Sequence, residues 1–195
     1  IKTMKIYDCF MYFDEEVVVD VRLHTLNEFV DYFVIVESRF THKGESRELK
    51  FDHKKFEKFK DKIIYIIDEE AYPQTQEIQT ENSEDEKSIK LIFNAAYREN
   101  GQRNLLLKGL KEANDEDLIL ISDVDEIPKL NNLNFKNINE KIILFKQDMF
   151  YYKFNLWLPN LIWTGTKACR RKNLISPQWL RNIKDRKYSF FRIDT

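Results

Sequence analysis

The sequence predicts an α/β domain built on a mostly parallel sheet with helices on its faces. Short apolar runs of strand length alternate with segments of helical periodicity through the first 128 residues. Strands that alternate with helices are joined by right-handed crossovers, which make the strands parallel. A chain of 195 residues with 43% hydrophobic and 33% charged residues has the size and composition of one soluble globular domain, residues 1–195.

Four apolar runs are predicted to form the parallel strands. They span residues 5–13, 32–37, 63–67 and 118–122. Each has the length of a buried strand, and the first is interrupted by a single carboxylate, Asp8.

Helices are predicted between these strands. Three acidic residues at 14–16 favour a helix start, and Val19, Leu23, Leu26 and Val30 then recur at helical spacing. Further helices are predicted in the lysine-rich stretch around residues 56–59, from about residue 86, and over residues 102–113. The polar segment 69–88 is predicted to be largely a mobile surface loop.

The pattern changes after Pro128. Three closely spaced aromatic runs, at 142–145, 149–154 and 162–168, predict further strands. They indicate a smaller part at the C-terminal end with mixed or antiparallel pairing.

Charge and cysteine content exclude several classes of protein. The net charge is −1, so no overall electrostatic attraction to nucleic acid is expected. Cys9 and Cys169 could pair, but two cysteines do not make a disulfide framework. The sequence contains no signal peptide and no apolar stretch near the length of a membrane span, so we expect a cytoplasmic protein or one attached elsewhere through a part outside this sequence.

The acidic motif Asp123-Val124-Asp125 directly follows the fourth predicted strand. Ligands bind outside the carboxyl ends of the strands of open α/β sheets, an edge that also receives Glu37 and Asp68. Mg²⁺ and Mn²⁺ prefer oxygen ligands and keep positions open for substrate phosphates. An isolated acidic triplet is usually solvated, but burying an unpaired carboxylate after an apolar strand is costly, which favours a metal site here.

The segment 119–128 (ILISDVDEIP) resembles glycosyltransferase family 17. Three further segments agree in order: 5–10 (KIYDCF), 31–37 (DYFVIVE), and Arg98-Glu99 followed by 102–104 (QRN). The matches together span most of residues 5–128.

The resemblance implies a GT-A-like fold, a UDP-sugar donor, Mn²⁺ (or Mg²⁺) and inversion at the anomeric carbon. The donor would be UDP-N-acetylglucosamine and the acceptor a glycan. Residues 5–128 would form the nucleotide-sugar-binding half and residues 129–195 the acceptor-side half. Members of the family continue beyond the position of residue 195, so we expect this chain to be incomplete at its C-terminal end.

Residues near the motif are candidates for binding the metal and the donor. Asp125 is expected to ligate the metal directly, and Asp123 either binds the ion through water or holds the ribose. Glu126 either supports this site or is a solvated carboxylate of the turn. Arg103 either contacts the diphosphate or pairs with Glu99 along its helix.

Two strand carboxylates are further candidates for donor binding. Glu37, at the end of the second strand, could contact the nucleoside. Asp8 needs a partner within its apolar strand, either the donor or a hydrogen-bonding group of the protein.

Inverting transfer requires a general base near the acceptor hydroxyl. Asp148 is the only carboxylate within the aromatic run 145–154, and we predict it as that base. The tryptophans Trp157, Trp163 and Trp179 could stack on sugars, although packing is the commoner use of such residues.

Two other functions stay open at this stage. A phosphatase with a strand-end aspartate nucleophile shares the Asp-x-Asp arrangement, but the following Glu126-Ile127-Pro128 differs from the glycine-containing turn expected there. A non-catalytic module that binds nucleotide or carbohydrate is the other alternative.

Overall fold

The computed structural model describes residues 3–73, 75–131, 133–151 and 155–184. It contains one six-stranded sheet with the order β3-β2-β1-β4-β6-β5. The strands are β1 (Ile6–Tyr12), β2 (Tyr32–Ser38), β3 (Ile63–Asp68), β4 (Leu118–Ile121), β5 (Ile142–Phe150) and β6 (Trp157–Arg170). Strands β1 to β4 are parallel, whereas β6 pairs antiparallel with both β4 and β5. The predicted mixed α/β architecture with a mostly parallel sheet is confirmed.

The two faces of the sheet carry two hydrophobic clusters because side chains alternate along each strand. Helix α1 (Glu16–Leu26) packs one apolar stripe onto the face that contains Phe10, Phe33 and Leu120. The opposite face, with Cys9, Val34 and Ile121, is covered by segments that come later in the chain. Its cover includes Leu106 and Leu110 of the 3₁₀ segment Leu105–Leu110 and Leu180 of helix α3 (Pro177–Asn182).

Helix α2 (Glu84–Asn104) corrects the prediction of two helices in this region. It begins earlier than expected because Ser83 and Glu86 form a reciprocal capping box. It continues through Gly101, where a side-chain carbon would lie only 2.1 Å from the Tyr72 ring. Gly101 therefore permits close packing rather than ending the helix, and the predicted helix at 102–113 is replaced by the end of α2 and the 3₁₀ segment.

Two other predicted elements differ from the structure. The lysine-rich stretch forms only a single 3₁₀ turn, Glu57–Phe59, instead of a full helix. The three aromatic runs after Pro128 form two strands, because the polar residues 146–148 continue β5 instead of interrupting it. Part of the second run, residues 152–154, lies outside the described residues.

Cys9 and Cys169 are both buried and free. They lie on β1 and β6, and strand β4 runs between these two strands. No helix within the described ranges is long and apolar enough to cross a membrane.

Candidate active site

A cleft of about 760 Å³ opens at the carboxyl ends of β1 and β4. The sheet order reverses between these strands, since β2 and β3 lie on one side of β1 and β4 lies on the other. Such a reversal is the usual ligand position in open α/β sheets. One part of the wall is mainly apolar and the other polar; the lining includes Met11, Tyr12, Phe13, Val18, Phe40, His42, Gln102, Arg103, Asp123 and Asp125.

Asp123 lies between two arginines that come from different parts of the chain. Its Oδ1 accepts a hydrogen bond from Arg103 Nη2 at 3.1 Å, and its Oδ2 accepts one from Arg181 Nη2 at 2.6 Å. Arg103 also donates to Glu99 at 2.8 Å and to Gln178 Oε1 at 2.5 Å. Arg103 thus pairs with Glu99 along its helix and also reaches Asp123, whereas its contact with a diphosphate stays a prediction.

This arrangement keeps Asp123 ionised. Burial by itself would raise the pKa of the Asp123 carboxyl, but the hydrogen bond and charge of Arg181 and the charge of Arg103 outweigh it and hold the pKa below its ordinary value. The buried Lys167 helps to position Arg181, because its Nζ donates a hydrogen bond to the Arg181 backbone carbonyl. Burial, with the nearby charges of Arg181 and Lys184, lowers the pKa of Lys167 to about 8.

Asp125 differs from Asp123 in its surroundings. Its side chain is exposed on the wall of the cleft, and no described residue forms a hydrogen bond or ion pair with it. Within the described ranges there is no group of three or more histidine, cysteine or acidic residues that could hold a metal. Mg²⁺ can be held by one or two carboxylates with its other ligands from substrate phosphates and water, so the exposed oxygens of Asp125 could serve as a protein ligand of such an ion.

Glu126 is an anchor of the turn rather than a solvated carboxylate. Its Oε2 accepts from the backbone N–H of Asp123 at 2.9 Å, and its Oε1 accepts from Arg181 at 2.9 Å and from Trp163 Nε1 at 2.6 Å. The turn is thereby tied both to α3 and to the β5–β6 hairpin.

Asp8 has its partner inside the protein. It forms a bidentate pair with Arg22, at 2.8 Å from Nε and 2.6 Å from Nη2, and both side chains are completely buried. Arg22 is therefore the hydrogen-bonding partner within the protein that was one of the two alternatives for Asp8. Its contact with a donor stays a prediction.

Glu37 is also occupied within the fold. Its oxygens accept from Arg47 Nη2, from the backbone N–H groups of Lys50 and Phe51, and from the Tyr65 hydroxyl, at 2.7–3.1 Å. Glu37 therefore fixes the loop that follows β2. Its contact with a nucleoside stays a prediction.

Asp148 is not brought together with the acidic motif. It is exposed on β5, paired in register with Ile162, and does not line the cleft. Its role as general base stays a prediction. Of the three tryptophans, Trp163 contacts the site through Glu126, Trp157 is exposed, and Trp179 packs against the core.

Arg22 and Arg181 were not predicted from the sequence as residues of the site, and Trp163 was considered only for stacking on sugars, not for its contact with Glu126. Arg22 had a detectable signal, because it lies on the apolar face of α1 with Val19, Leu23 and Leu26. A charge at such a position indicates a buried partner, and Asp8 was the matching exception in its strand. Arg181 lies 58 residues from Asp123 in a polar context, and no local pattern marks it.

Sequence comparisons relate the chain to one family of known proteins. The profile described as glycosyltransferase family 17 matches residues 1–175. The β-1,4-mannosyl-glycoprotein 4-β-N-acetylglucosaminyltransferases of Homo sapiens and Rattus norvegicus are each 30% identical to the chain over 120 residues. Each match covers 60% of this chain and 20% of the relative, so the chain matches about one fifth of these curated relatives.

No solved structure matched the chain significantly. The family assignment therefore depends on sequence, and the profile match extends over the strands that form the cleft, including the acidic motif. The chain belongs to the glycosyltransferases of family 17.

Proposed function

We propose that this chain is the donor-binding part of a metal-dependent, inverting glycosyltransferase of GT-A type. In this proposal it transfers N-acetylglucosamine from UDP-N-acetylglucosamine to a hydroxyl of a glycan. The observation that carries the proposal is that two carboxylates line one cleft: Asp125, which forms no hydrogen bond or ion pair with a described residue, and Asp123, which two arginines hold.

The two carboxylates have different tasks in this proposal. Asp125 holds the metal, because its oxygens are exposed in the cleft. Asp123 is engaged with two guanidinium groups, so its contact with the ion is through water or its contact is with the ribose. When bound, the ion supplies positive charge that stabilises the departing nucleoside diphosphate.

Arg103 is the cation that we assign to the diphosphate. It is almost fully buried, lines the cleft, and has a buried Nε without a hydrogen-bond partner among the described residues. A fixed guanidinium is suited to the paired oxygens of a diphosphate. The apolar wall around Met11, Tyr12 and Val18 then receives the less polar part of the nucleotide.

The sugar and the acceptor are inferred from the relatives. Both curated relatives are named for transfer of N-acetylglucosamine to a β-1,4-mannosyl glycoprotein. A mannosyl-containing glycan is therefore the first acceptor to test.

Calorimetric titration with UDP-N-acetylglucosamine, UDP and Mn²⁺ tests the donor and metal assignments. Since the described residues contain no group of three or more histidine, cysteine or acidic residues that could hold a metal, Mn²⁺ alone should bind weakly, whereas Mn²⁺ and UDP should strengthen each other's binding. Binding of UDP that is equally strong in EDTA would remove the metal from the proposal. Binding without any transfer to a mannosyl glycan would favour the alternative of a non-catalytic binding module.

A further inference from the structure

Arg22 makes an unusual set of contacts beneath the acidic motif. Besides its two bonds to Asp8, its Nη1 donates to three backbone carbonyls of the turn after β4. These carbonyls belong to Asp123 at 3.3 Å, Val124 at 3.2 Å and Glu126 at 2.8 Å. The guanidinium also lies over the Phe10 ring, with 4.8 Å between its central carbon and the ring centroid.

The contacts with Arg22 determine how the turn presents its side chains. Because three carbonyls converge on one buried nitrogen, the backbone of residues 123–126 faces the core on that side. The side chains of Asp123 and Asp125 consequently reach the cleft. The Glu126 carbonyl also accepts from Thr166 Oγ1 at 2.9 Å, so the turn is fixed from β6 as well.

Stability alone does not explain a completely buried ion pair at this position. Removing two charges from water is costly, and replacing such a pair with apolar residues of similar volume is often neutral or stabilising. Arg22 lies over the Phe10 ring and is buried on the same helix as Val19, Leu23 and Leu26, so an apolar replacement would extend the existing core. What apolar residues cannot reproduce is a guanidinium whose Nε and Nη2 contact Asp8 while the two hydrogens of its Nη1 are shared among three carbonyls.

We propose that Arg22, oriented by Asp8, is a positioning residue that sets the turn 123–126 for donor and metal binding. This inference rests on the proposed function for its consequence in binding. The contact with the backbone can be tested without any ligand.

The experiment compares wild type with the double variant Asp8→Val/Arg22→Met. We expect the double variant to fold, because removal of the two buried charges offsets part of the cost of the carbonyls that lose the Arg22 donor. Hydrogen–deuterium exchange should become faster in the peptide covering residues 122–128 and stay unchanged in β2 and β3. Affinity for UDP with Mn²⁺ should fall about 10- to 100-fold, the usual effect of removing a residue that orients metal ligands.

Two further variants keep the test decisive. Arg22→Lys keeps the positive charge beside Asp8 but replaces the fork with one amine, and it should show the same faster exchange and weaker binding. Leu23→Ala removes a fully buried side chain from the same helix, so it lowers stability without removing a hydrogen bond to the turn. It should retain wild-type affinity at temperatures at which it is folded.

The outcomes separate the inference from the proposed function. Wild-type exchange in residues 122–128 of the double variant, or of Arg22→Lys if the double variant does not fold, would overturn the positioning role. Faster exchange with unchanged UDP affinity would overturn it too. If wild type itself does not bind UDP with Mn²⁺, the proposed function fails, and the exchange data still decide whether Arg22 sets the turn.

Discussion

Arg181 Nη2 lies 2.6 Å from Asp123 Oδ2, joining helix α3 to the turn after β4. The same nitrogen contacts Glu126 Oε1 at 2.9 Å. One cation from the C-terminal part thus holds two of the three acidic side chains of the motif region, while Asp125 keeps its position in the cleft.

Replacing Arg181 with Met should make the free energy of unfolding depend less on pH in the acidic range. The folded-state pKa of Asp123 lies below its ordinary value, so this carboxylate stabilises the fold above its unfolded pKa of about 3.9, and that stabilisation is lost as the pH falls through the folded-state pKa. At pH 7 the variant should lose about 1.5–3 kcal/mol, because charged hydrogen bonds are removed. The difference from wild type should shrink below about pH 4 as Asp123 becomes protonated.

Urea unfolding at several pH values measures this difference. Arg39→Met is the matched control, because the ion pair of Arg39 with Glu69 is exposed and contributes little. A difference between wild type and Arg181→Met that stays constant from pH 7 to acid would show that Asp123 is not the partner concerned.

The position of the acidic motif could be predicted from the sequence, whereas its supporting contacts could not. Continuous apolar residues from Leu118 to Ile121 followed by carboxylates are a local signal, and the order of elements places such a strand end at the ligand edge. Arg181 and Trp163 reach the turn from separate elements, at distances set by packing. A sequence pattern does not encode such distances, which is why the contacts of Arg181 with Asp123 and of Trp163 with Glu126 were missed.

Asp125→Ala should remove Mn²⁺-dependent UDP binding with little effect on the fold. The side chain is exposed and makes no hydrogen bond with a described residue, so stability should change by no more than about 0.5 kcal/mol. Calorimetry with UDP and Mn²⁺, combined with urea unfolding, measures both quantities. Asp61→Ala, which removes another exposed carboxylate, is the control and should bind as wild type does. Full binding by Asp125→Ala would contradict the metal assignment.

Glu37→Ala should strongly destabilise the protein. Arg47, with a side chain only 8% exposed, would lose its carboxylate, and the N–H groups of Lys50 and Phe51 would lose their acceptor. Removing one partner of a buried ion pair costs about 3–5 kcal/mol. Urea unfolding measures the loss, and the exposed Glu48→Ala should be close to wild type.

Glu37→Gln separates this structural role from the predicted contact with the nucleoside. The amide keeps the shape of the side chain and an oxygen acceptor. If Glu37 serves only the loop, uridine affinity should be that of wild type in the folded variant. Weaker uridine binding at unchanged secondary structure would support the donor contact predicted from the strand-end position.

The buried pair of Asp8 and Arg22 shows a second limit of sequence reasoning. Each residue was visible as a polar exception, one in an apolar strand and one on an apolar helix face. Their pairing follows from α1 lying over the face of β1 that carries Asp8, which depends on the sheet order and on the side that the crossover takes. The need for a partner could thus be inferred, but its identity required the tertiary structure.

Arg103→Lys should weaken UDP binding without weakening uridine binding, because we assign this guanidinium to the diphosphate. A lysine cannot contact Glu99, Asp123 and Gln178 with the same planar set of donors, so a loss of about tenfold in UDP affinity is expected.

Glu99→Gln is the matched control, since it removes the charge of the helical partner and leaves Arg103 in place. If Arg103 served only to pair with Glu99, both variants would lower helix stability by a similar small amount, and UDP affinity would be unchanged in each. Calorimetry with UDP and with uridine therefore decides between the two roles, and a selective loss of UDP affinity in Arg103→Lys alone identifies the diphosphate contact.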